Sequence, residues 1–266
     1  MSFECNKVGL AISTYSEEHT EKKRYEIIKK SLDSLEKILK TNKINIYVVI
    51  VVDGNIPQIH NELLDNYDFN IYRREENGGV AKTKNTCIRL LKEQHIDIGY
   101  LADDDILYKE HCFDVYTDFI CKTNCHHLIA CYPDPIVHPK HTWNKLNYIL
   151  DTYKGEKIRK HSGNVGYFLS FTPKLIEKIG YFRVLPNKFG SEHINFSKRA
   201  LQMKMIPFHY DIDNSVKCVE HIGFWPIAEN LYGKCHSISK SNQKKMSKEN
   251  NKYVNIDLNK KIECVE

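Results

Sequence analysis

Residues 44–55 read INIYVVIVVDGN, a nearly continuous apolar run, rich in β-branched residues, that ends at an Asp-Gly-Asn turn signal. Such a run is typical of a strand that is covered on both faces. Strand and helix patterns alternate around it, with further strands predicted at residues 8–13, 70–73 and 96–102 and helices at 21–40, 58–65 and 80–92. This alternation predicts an α/β fold with a mixed, mainly parallel central sheet flanked by helices.

The second half of the chain is less regular. Strands are predicted at residues 128–131, 166–171 and 216–222, a loop at 133–135, and helices at 192–203 and at 173–179, the latter with Gly180 as its C-cap. Residues 138–160 are polar and have no clear pattern. From residue 236 the chain is rich in Lys, Asn and Ser, so we expect one domain over residues 1–235 and a solvated polar tail over 236–266.

The composition is that of an ordinary globular protein, because 41% of the 266 residues are hydrophobic and 27% are charged. The net charge of +5 fits an anionic small-molecule ligand but lacks the concentrated basic footprint of a nucleic-acid-binding protein. No apolar run reaches the roughly 18 residues of a membrane span, and the start shows no secretory signal. We therefore expect a soluble, cytoplasmic protein without a transmembrane segment.

The nine cysteines are scattered, which in such a chain favours free thiols over a disulfide framework. Residues of the types that bind zinc cluster at Cys121, Cys125, His126 and His127. The cluster lacks the paired C-x2-C spacing of a zinc site, so ordinary buried side chains are the favoured interpretation.

Polar residues follow the carboxyl ends of three predicted strands: Thr14 with Tyr15, then Asp53 with Gly54, then residues 103–105, which are all aspartates. Ligands of open α/β sheets bind at this edge, so these residues are expected to line one crevice. Three adjacent carboxylates repel each other unless a cation compensates them, and a hard divalent ion would do so. The alternative is an exposed acidic turn.

The segment NGGVAKTKN, residues 77–85, places two glycines and two lysines at a predicted helix start. Gly78 and Gly79 allow close approach of the backbone, and Lys82 and Lys84 add positive charge, which together favour a bound anion. The segment is neither a P-loop nor a dinucleotide fingerprint. Asp53 is compatible with contacts to a nucleobase or ribose and equally with a simple Asp-Gly turn.

The segment FGSEHINFSKRA, residues 189–200, puts Glu192 and His193 at the start of a predicted helix. Either side chain is of a type that serves as a general base, although Glu192 is also favourable to the helix dipole. His221 follows in CVEHIGF, at the end of the last predicted strand. It becomes a metal ligand only if it lies beside the carboxylates, and a structural role is the alternative.

The order of these motifs over residues 8–224 resembles a family 2 glycosyltransferase of the GT-A fold, a Rossmann-like nucleotide-diphospho-sugar transferase. The resemblance implies a nucleotide-sugar donor, with a UDP-sugar favoured, and Mn²⁺ or Mg²⁺ as cofactor. It implies transfer of the sugar to a hydroxyl of a glycan or other acceptor, with inversion.

The resemblance also assigns roles to individual residues. A nucleotide-sugar-binding role is implied for Thr14, Tyr15, Asp53, Gly79, Lys84, Asp103 and Asp104, a metal-binding role for Asp103, Asp105 and His221, and a catalytic role for Glu192 and His193.

Three departures from the family pattern stand out. His193 replaces the usual Asp of an E-D pair, which leaves the base open between Glu192 and His193. The family often reads L-D-x-D-D at this point, whereas residues 101–105 of this chain read LADDD. The metal ligand could therefore be Asp104 in place of one of its neighbours. Lys84 stands where the family usually has Arg, which keeps the charge but loses the bidentate fork.

Two other functions use similar residues. A metal-dependent nucleotidyl or phosphoryl transferase also needs clustered aspartates and a nucleotide. A non-catalytic carbohydrate-binding module on a decayed transferase fold would explain His193, but such a module has little use for all three aspartates.

Overall fold

The computed structural model describes residues 5–123, 125–130, 148–153, 156–161, 167–188, 190–207, 209–212, 218–223 and 240–266. Its strands are β1 (Val8–Thr14), β2 (Ile46–Val52), β3 (Asn70–Arg73), β4 (Ile98–Asp103), β5 (Ile106–Tyr108), β6 (Ile129–Ala130), β7 (Tyr148–Tyr153), β8 (Glu156–His161), β9 (Phe168–Phe171), β10 (His209–Ile212) and β11 (Val219–His221). Its helices are α1 (Glu21–Thr41), α2 (Gln58–Leu64), α3 (Val80–Glu93), α4 (Cys112–Thr123), α5 (Pro173–Ile179), α6 (Glu192–Gln202) and α7 (Lys240–Asn250), with short 3-10 turns at Glu18–Thr20 and Asn251–Tyr253.

The central sheet has six strands in the order β3-β2-β1-β4-β9-β6. The first four strands of this order are parallel, whereas β9 runs antiparallel to both β4 and β6. The predicted mixed, mainly parallel sheet is therefore confirmed. Two smaller sheets accompany it, one of β10, β8 and β7 and one of β11 and β5.

The core lies on both faces of the central sheet, as the sequence of β2 predicts. All residues from Val48 to Val52 are buried, because helices cover both sides of this strand. On α1 the buried positions include Ile28, Leu32, Leu35 and Ile38, which recur at spacings of three and four. The helix thus presents one continuous apolar face to the sheet.

The hairpin of β7 and β8 is an element that the sequence pattern did not reveal. The two strands pair antiparallel, with Ile149 beside Ile158, and a register shift follows before Thr152 pairs with Lys157. Both strands are too polar to give an apolar run. The loop predicted at residues 133–135 lies outside the described residues.

The described part of the C-terminal segment differs from the solvated end that its composition suggests. Residues 240–250 form α7, and the chain beyond it runs back along the domain. Ile262 pairs with Gly180 as an isolated parallel bridge, and Asn250 is completely buried. The composition could not show this, because many of the contacts are hydrogen bonds of polar side chains, such as those of Asn250 to the carbonyls of Asn187 and Gly190.

No helix in the described ranges is long and apolar enough to cross a membrane. None of the seven cysteines that lie in these ranges forms a disulfide, in agreement with the expected thiols.

Gly180→Ala is expected to lower the free energy of unfolding by at least about 1–3 kcal/mol, the usual cost of a non-glycine residue in a backbone conformation open mainly to glycine. Gly180 has φ of 72° and ψ of −149°, and a Cβ there would lie 1.9 Å from the Ile262 carbonyl oxygen. Urea unfolding measures the change, with Lys178→Ala on the exposed face of α5 as the control. Equal stability of the two variants would contradict the close contact.

Candidate functional site

Three of the predicted site segments meet at the carboxyl edge of the central sheet. In the parallel register Thr14 lies beside Val52 and Ser13 beside Asp103, so β1, β2 and β4 end nearly level. The Asp53 amide donates to the Thr14 carbonyl at 3.0 Å, which ties together the turns after β1 and β2. Residues far apart in the sequence therefore lie at one edge, where open α/β sheets bind ligands.

The three aspartates do not share one environment. Asp104 is 4% exposed, and its carboxylate accepts hydrogen bonds from Thr14 Oγ1 at 2.5 Å and from the Arg24 guanidinium. These partners hold Asp104 within the fold. The arrangement favours Asp103 and Asp105, rather than Asp104, as the residues that face a ligand.

Arg24 is a site residue that the sequence analysis missed, although the sequence carries a signal for it. It lies four and eight residues before Ile28 and Leu32, on the buried face of α1. A charged residue on the apolar stripe of a helix needs a buried partner of opposite charge, and here that partner is Asp104.

Asp103, Asp105 and His221 form a cluster with the composition of a metal site. One ligand atom from each lies within 4.8 Å of the others, and His221 Nε2 is 3.2 Å from Asp105 Oδ1. The pairing of β11 with β5 puts His221 beside Ile106, directly after the triplet. A Cβ at Gly223 would lie 1.8 Å from Asp105 Oδ2, so only glycine fits against this carboxylate.

The charges around the cluster favour an additional cation. Lys84 is completely buried, and its Nζ lies 2.8 Å from Asp103 Oδ1. Arg24 approaches Asp105 at 3.8 Å. Burial lowers the pKa of His221, but Asp105 and Asp103 outweigh that effect and raise it. Among the residues described, three carboxylates therefore face two permanent cations.

Asp53 contacts the loop at the start of α3. Its carboxylate accepts hydrogen bonds at 2.9 Å from the Gly78 and Gly79 amides and from Arg74 Nε. Asp53 thereby orders the loop at the start of α3. The close approach at Gly79, where φ is 82°, is made to Lys188, whose carbonyl oxygen would lie 2.6 Å from an added Cβ. No local signal in the sequence predicts this contact with a residue about 110 positions away.

Glu192, which is buried, and His193, which is partly buried, lie side by side at the start of α6. Glu192 is 5% exposed, and His193 Nε2 lies 3.2 Å from Glu192 Oε1, with the Phe182 ring edge-on to the imidazole. Burial raises the pKa of Glu192, an effect that Lys84 opposes and Asp103 reinforces. Burial, with a smaller effect of Lys84, holds the pKa of His193 well below its usual range. Lys84 thus lowers the pKa of both residues, and Asp103 raises that of Glu192.

A cleft of about 480 Å³ adjoins the site on the side of the turns after β1 and β2. Its walls include Tyr15, Glu17, His19, Asn55, Ile56 and Gln58. The Tyr15 hydroxyl donates to Glu17 Oε1 at 3.1 Å, which fixes the ring at the cleft wall.

The cysteine and histidine cluster at residues 121–127 makes ordinary internal contacts. His127 is completely buried, with its two ring nitrogens 2.6 Å from the Ser170 carbonyl and 2.8 Å from Ser197 Oγ. His126 Nδ1 lies 2.9 Å from Thr172 Oγ1. Within the described ranges, the one group of three or more metal-type ligands is Asp103, Asp105 and His221.

Comparisons with known proteins agree with this geometry. The model of glycosyl transferase family 2 matches residues 10–203. An uncharacterized glycosyltransferase of Acanthamoeba polyphaga mimivirus is 44% identical over 213 residues, which cover 79% of this chain and 78% of the relative.

Two solved structures resemble the chain at low sequence identity. One is TarS of S. aureus, with a TM-score of 0.50 and 17% identity over 74% of this chain and 34% of that one. The other is the mannosyltransferase PcManGT of Pyrobaculum calidifontis in complex with GDP-Man and Mn²⁺, with a TM-score of 0.49 and 16% identity over 76% and 53% of the two chains. The chain therefore spans about half or less of these two proteins.

The chain belongs to glycosyl transferase family 2. It is an enzyme of the glycosyltransferase class, and its central sheet is that of the GT-A fold, as its motifs suggest.

Proposed function

We propose that the protein moves a sugar from a nucleotide-diphosphate sugar, with a UDP-sugar favoured, to a hydroxyl of a glycan or other acceptor, with inversion and with a divalent cation. The observation that carries this proposal is the convergence of Asp103, Asp105 and His221 at the sheet edge where the family's nucleotide-binding segments meet.

The donor set fits Mn²⁺ or Mg²⁺. Two carboxylates and one imidazole suit Mn²⁺ well, and the carboxylates alone would serve Mg²⁺ with water completing its coordination. When bound, the ion supplies Lewis-acid neutralisation of the charge that develops on the leaving diphosphate. Lys84, which is buried beside Asp103, adds a second positive charge on the same side.

We assign the nucleotide to the cleft beside Thr14 and Tyr15. Tyr15 offers a ring for contact with the base, and Asp53 acts through the loop of Gly78 and Gly79 that it orders. This assignment directs the diphosphate toward Lys84 and the cluster of Asp103, Asp105 and His221.

A cytoplasmic location remains a prediction that agrees with the absence of disulfides among the described cysteines.

We assign proton abstraction from the acceptor hydroxyl to Glu192. Its raised pKa makes the carboxylate a stronger base than an exposed one. His193 Nε2 lies 3.2 Å from Glu192 Oε1, so the imidazole packs against the carboxylate and restricts its orientation. A single base on the acceptor side is the arrangement that an inverting displacement needs.

Release of free nucleotide from a panel of nucleotide sugars tests the proposal. The wild-type protein is expected to release nucleotide from one donor in the presence of Mn²⁺ and to lose this activity when the ion is chelated. Binding of UDP and GDP, with and without Mn²⁺, provides a second readout that needs no acceptor.

No release from any donor, together with no metal-dependent binding of either nucleotide, would contradict the proposal and favour the non-catalytic carbohydrate-binding alternative. For an active donor, NMR of the anomeric proton in the product tests inversion. Retained configuration would remove the single-base mechanism.

A further inference from the structure

The C-terminal segment lies beyond the part of the chain that matches the family, residues 10–203, yet it contacts the start of α6. Asn195 on α6 donates through Nδ2 to the carbonyls of Tyr253, Val254 and Ile256 at 3.1–3.3 Å. The segment is therefore joined to the helix that begins with Glu192.

Asn250 makes the most complete of these contacts. It is the last residue of α7 and is completely buried. Its Nδ2 donates to the Gly190 carbonyl at 2.8 Å and to the Asn187 carbonyl at 3.2 Å, and its Oδ1 accepts from the Asn187 amide at 3.3 Å. One side chain thus connects to the backbone at Asn187 and at Gly190, in the loop that leads to Glu192.

The residue between this loop and Glu192 has a backbone conformation that needs support. Ser191 has φ of 71°, in the left-handed region, where a non-glycine residue is held only when its surroundings determine it. Its hydroxyl donates to Asn251 Oδ1 at 2.6 Å rather than capping α6. The neighbour of Asn250 therefore contacts the strained residue directly.

The other side of the loop rests on the start of α3. The Val80 amide donates to the Lys188 carbonyl at 2.9 Å, and Lys188 Nζ donates to the Asn77 carbonyl at 2.6 Å. The loop is thus held between the segment that Asp53 orders and the C-terminal segment.

We propose that Asn250 is a positioning residue, which holds the loop before α6 so that the Glu192 carboxylate faces the reacting centre. This inference rests on the proposed function, in which Glu192 takes the proton of the acceptor. Asn250 itself touches no substrate, so its contribution is to the geometry of Glu192 alone.

The test compares Asn250→Ala and Asn250→Asp with Asn255→Ala. The Asp variant keeps the size of the side chain and the bond to the Asn187 amide but replaces the two donations with an oxygen. Asn255 is the control, because it lies on the same segment, is exposed, and accepts a side-chain hydrogen bond from Lys198 Nζ at 2.8 Å, away from the loop before α6. Amide hydrogen exchange of residues 190–192 is measured along with kcat, donor KM and Mn²⁺ affinity.

Both Asn250 variants are expected to speed amide exchange at residues 190–192 by about tenfold or more relative to wild type, with exchange in α3 and β4 unchanged. We expect kcat to fall about 10- to 100-fold, as for a displaced catalytic group, with donor KM and Mn²⁺ affinity within about threefold of wild type. The Asn255 variant is expected to match the wild type.

Unchanged exchange at residues 190–192, or an equal rise throughout the protein, would overturn the inference, as would a loss confined to donor KM. The exchange measurement needs no donor. It therefore tests the loop even if the wild-type protein turns over no sugar nucleotide, a result that would count against the proposed function instead.

Discussion

Asp105→Asn is expected to lower metal-dependent donor turnover by at least about 10³-fold and to weaken Mn²⁺ binding strongly, because Lewis-acid stabilisation of a leaving phosphate is a matter of several kcal/mol. Asp105 contributes the carboxylate that lies 3.2 Å from His221 Nε2, inside the cluster. The amide keeps the shape of the side chain, and the backbone carbonyl that accepts from the Ile222 amide is untouched. Titration of Mn²⁺ by electron paramagnetic resonance measures binding without any donor.

Glu220→Gln is the matched control for this prediction. Glu220 precedes His221 on β11, and its carboxylate pairs with the partly exposed Lys109 at 2.8 Å. Removal of this charge is expected to leave both Mn²⁺ binding and turnover unchanged. Equal loss in the two variants would indicate a general electrostatic effect, and full Mn²⁺ binding by Asp105→Asn would remove Asp105 from the metal site.

The three aspartates at residues 103–105 show how much of this site the sequence pattern predicts. The position of three carboxylates after a buried strand predicts that charged side chains gather at this edge, and the structure brings Asp103, Asp105 and His221 together there. The difference in environment among the three aspartates was not predictable from the triplet itself. It depends on Arg24, which engages Asp104 from a helix about 80 residues earlier.

The loop at Gly78 and Gly79 shows why other parts of the site could not be predicted. The glycines indicated a close approach of the backbone, but the approaching group is the Lys188 carbonyl, contributed by the second half of the chain. Asp53, whose position suggested contact with a base, accepts hydrogen bonds from this loop and from Arg74, which its position in the sequence did not indicate. Local patterns identify residues with special requirements, whereas the partners that meet those requirements follow from tertiary contacts.

The C-terminal segment is the clearest difference between composition and structure. Its polar sequence suggested a solvated end, because few apolar residues are available to bury. Asn250 and Asn251 instead satisfy backbone and side-chain groups of the loop before α6. Hydrogen bonds of this kind have no periodic signature, so neither hydropathy nor charge patterns could reveal them.

Glu192→Gln is expected to lower sugar transfer by about 10²- to 10⁴-fold, the usual contribution of a general base. The amide occupies the same volume and can still contact His193, so the change removes the proton acceptor and little else. Metal-dependent nucleotide binding is expected to persist, because Glu192 lies outside the cluster of Asp103, Asp105 and His221. Single-turnover transfer from the active donor, with nucleotide binding measured in parallel, separates the two effects.

His193→Gln decides between the two residues that sequence reasoning left as alternatives. Gln can contact Glu192 from the same side, where His193 Nε2 lies 3.2 Å from Glu192 Oε1, so transfer is expected to stay within about tenfold of wild type. A larger loss in His193→Gln than in Glu192→Gln would assign the proton to the imidazole instead.

The pH dependence of transfer follows from the same geometry. Burial raises the pKa of Glu192. As the pH is lowered, the carboxylate is therefore protonated at a higher pH than an exposed carboxylate would be. The rate of transfer is expected to fall over that same range. Burial keeps the pKa of His193 well below its usual value, which moves its titration away from neutral pH. The acid limb should therefore belong to Glu192 and remain in His193→Gln, and its disappearance from that variant would contradict Glu192 as the base.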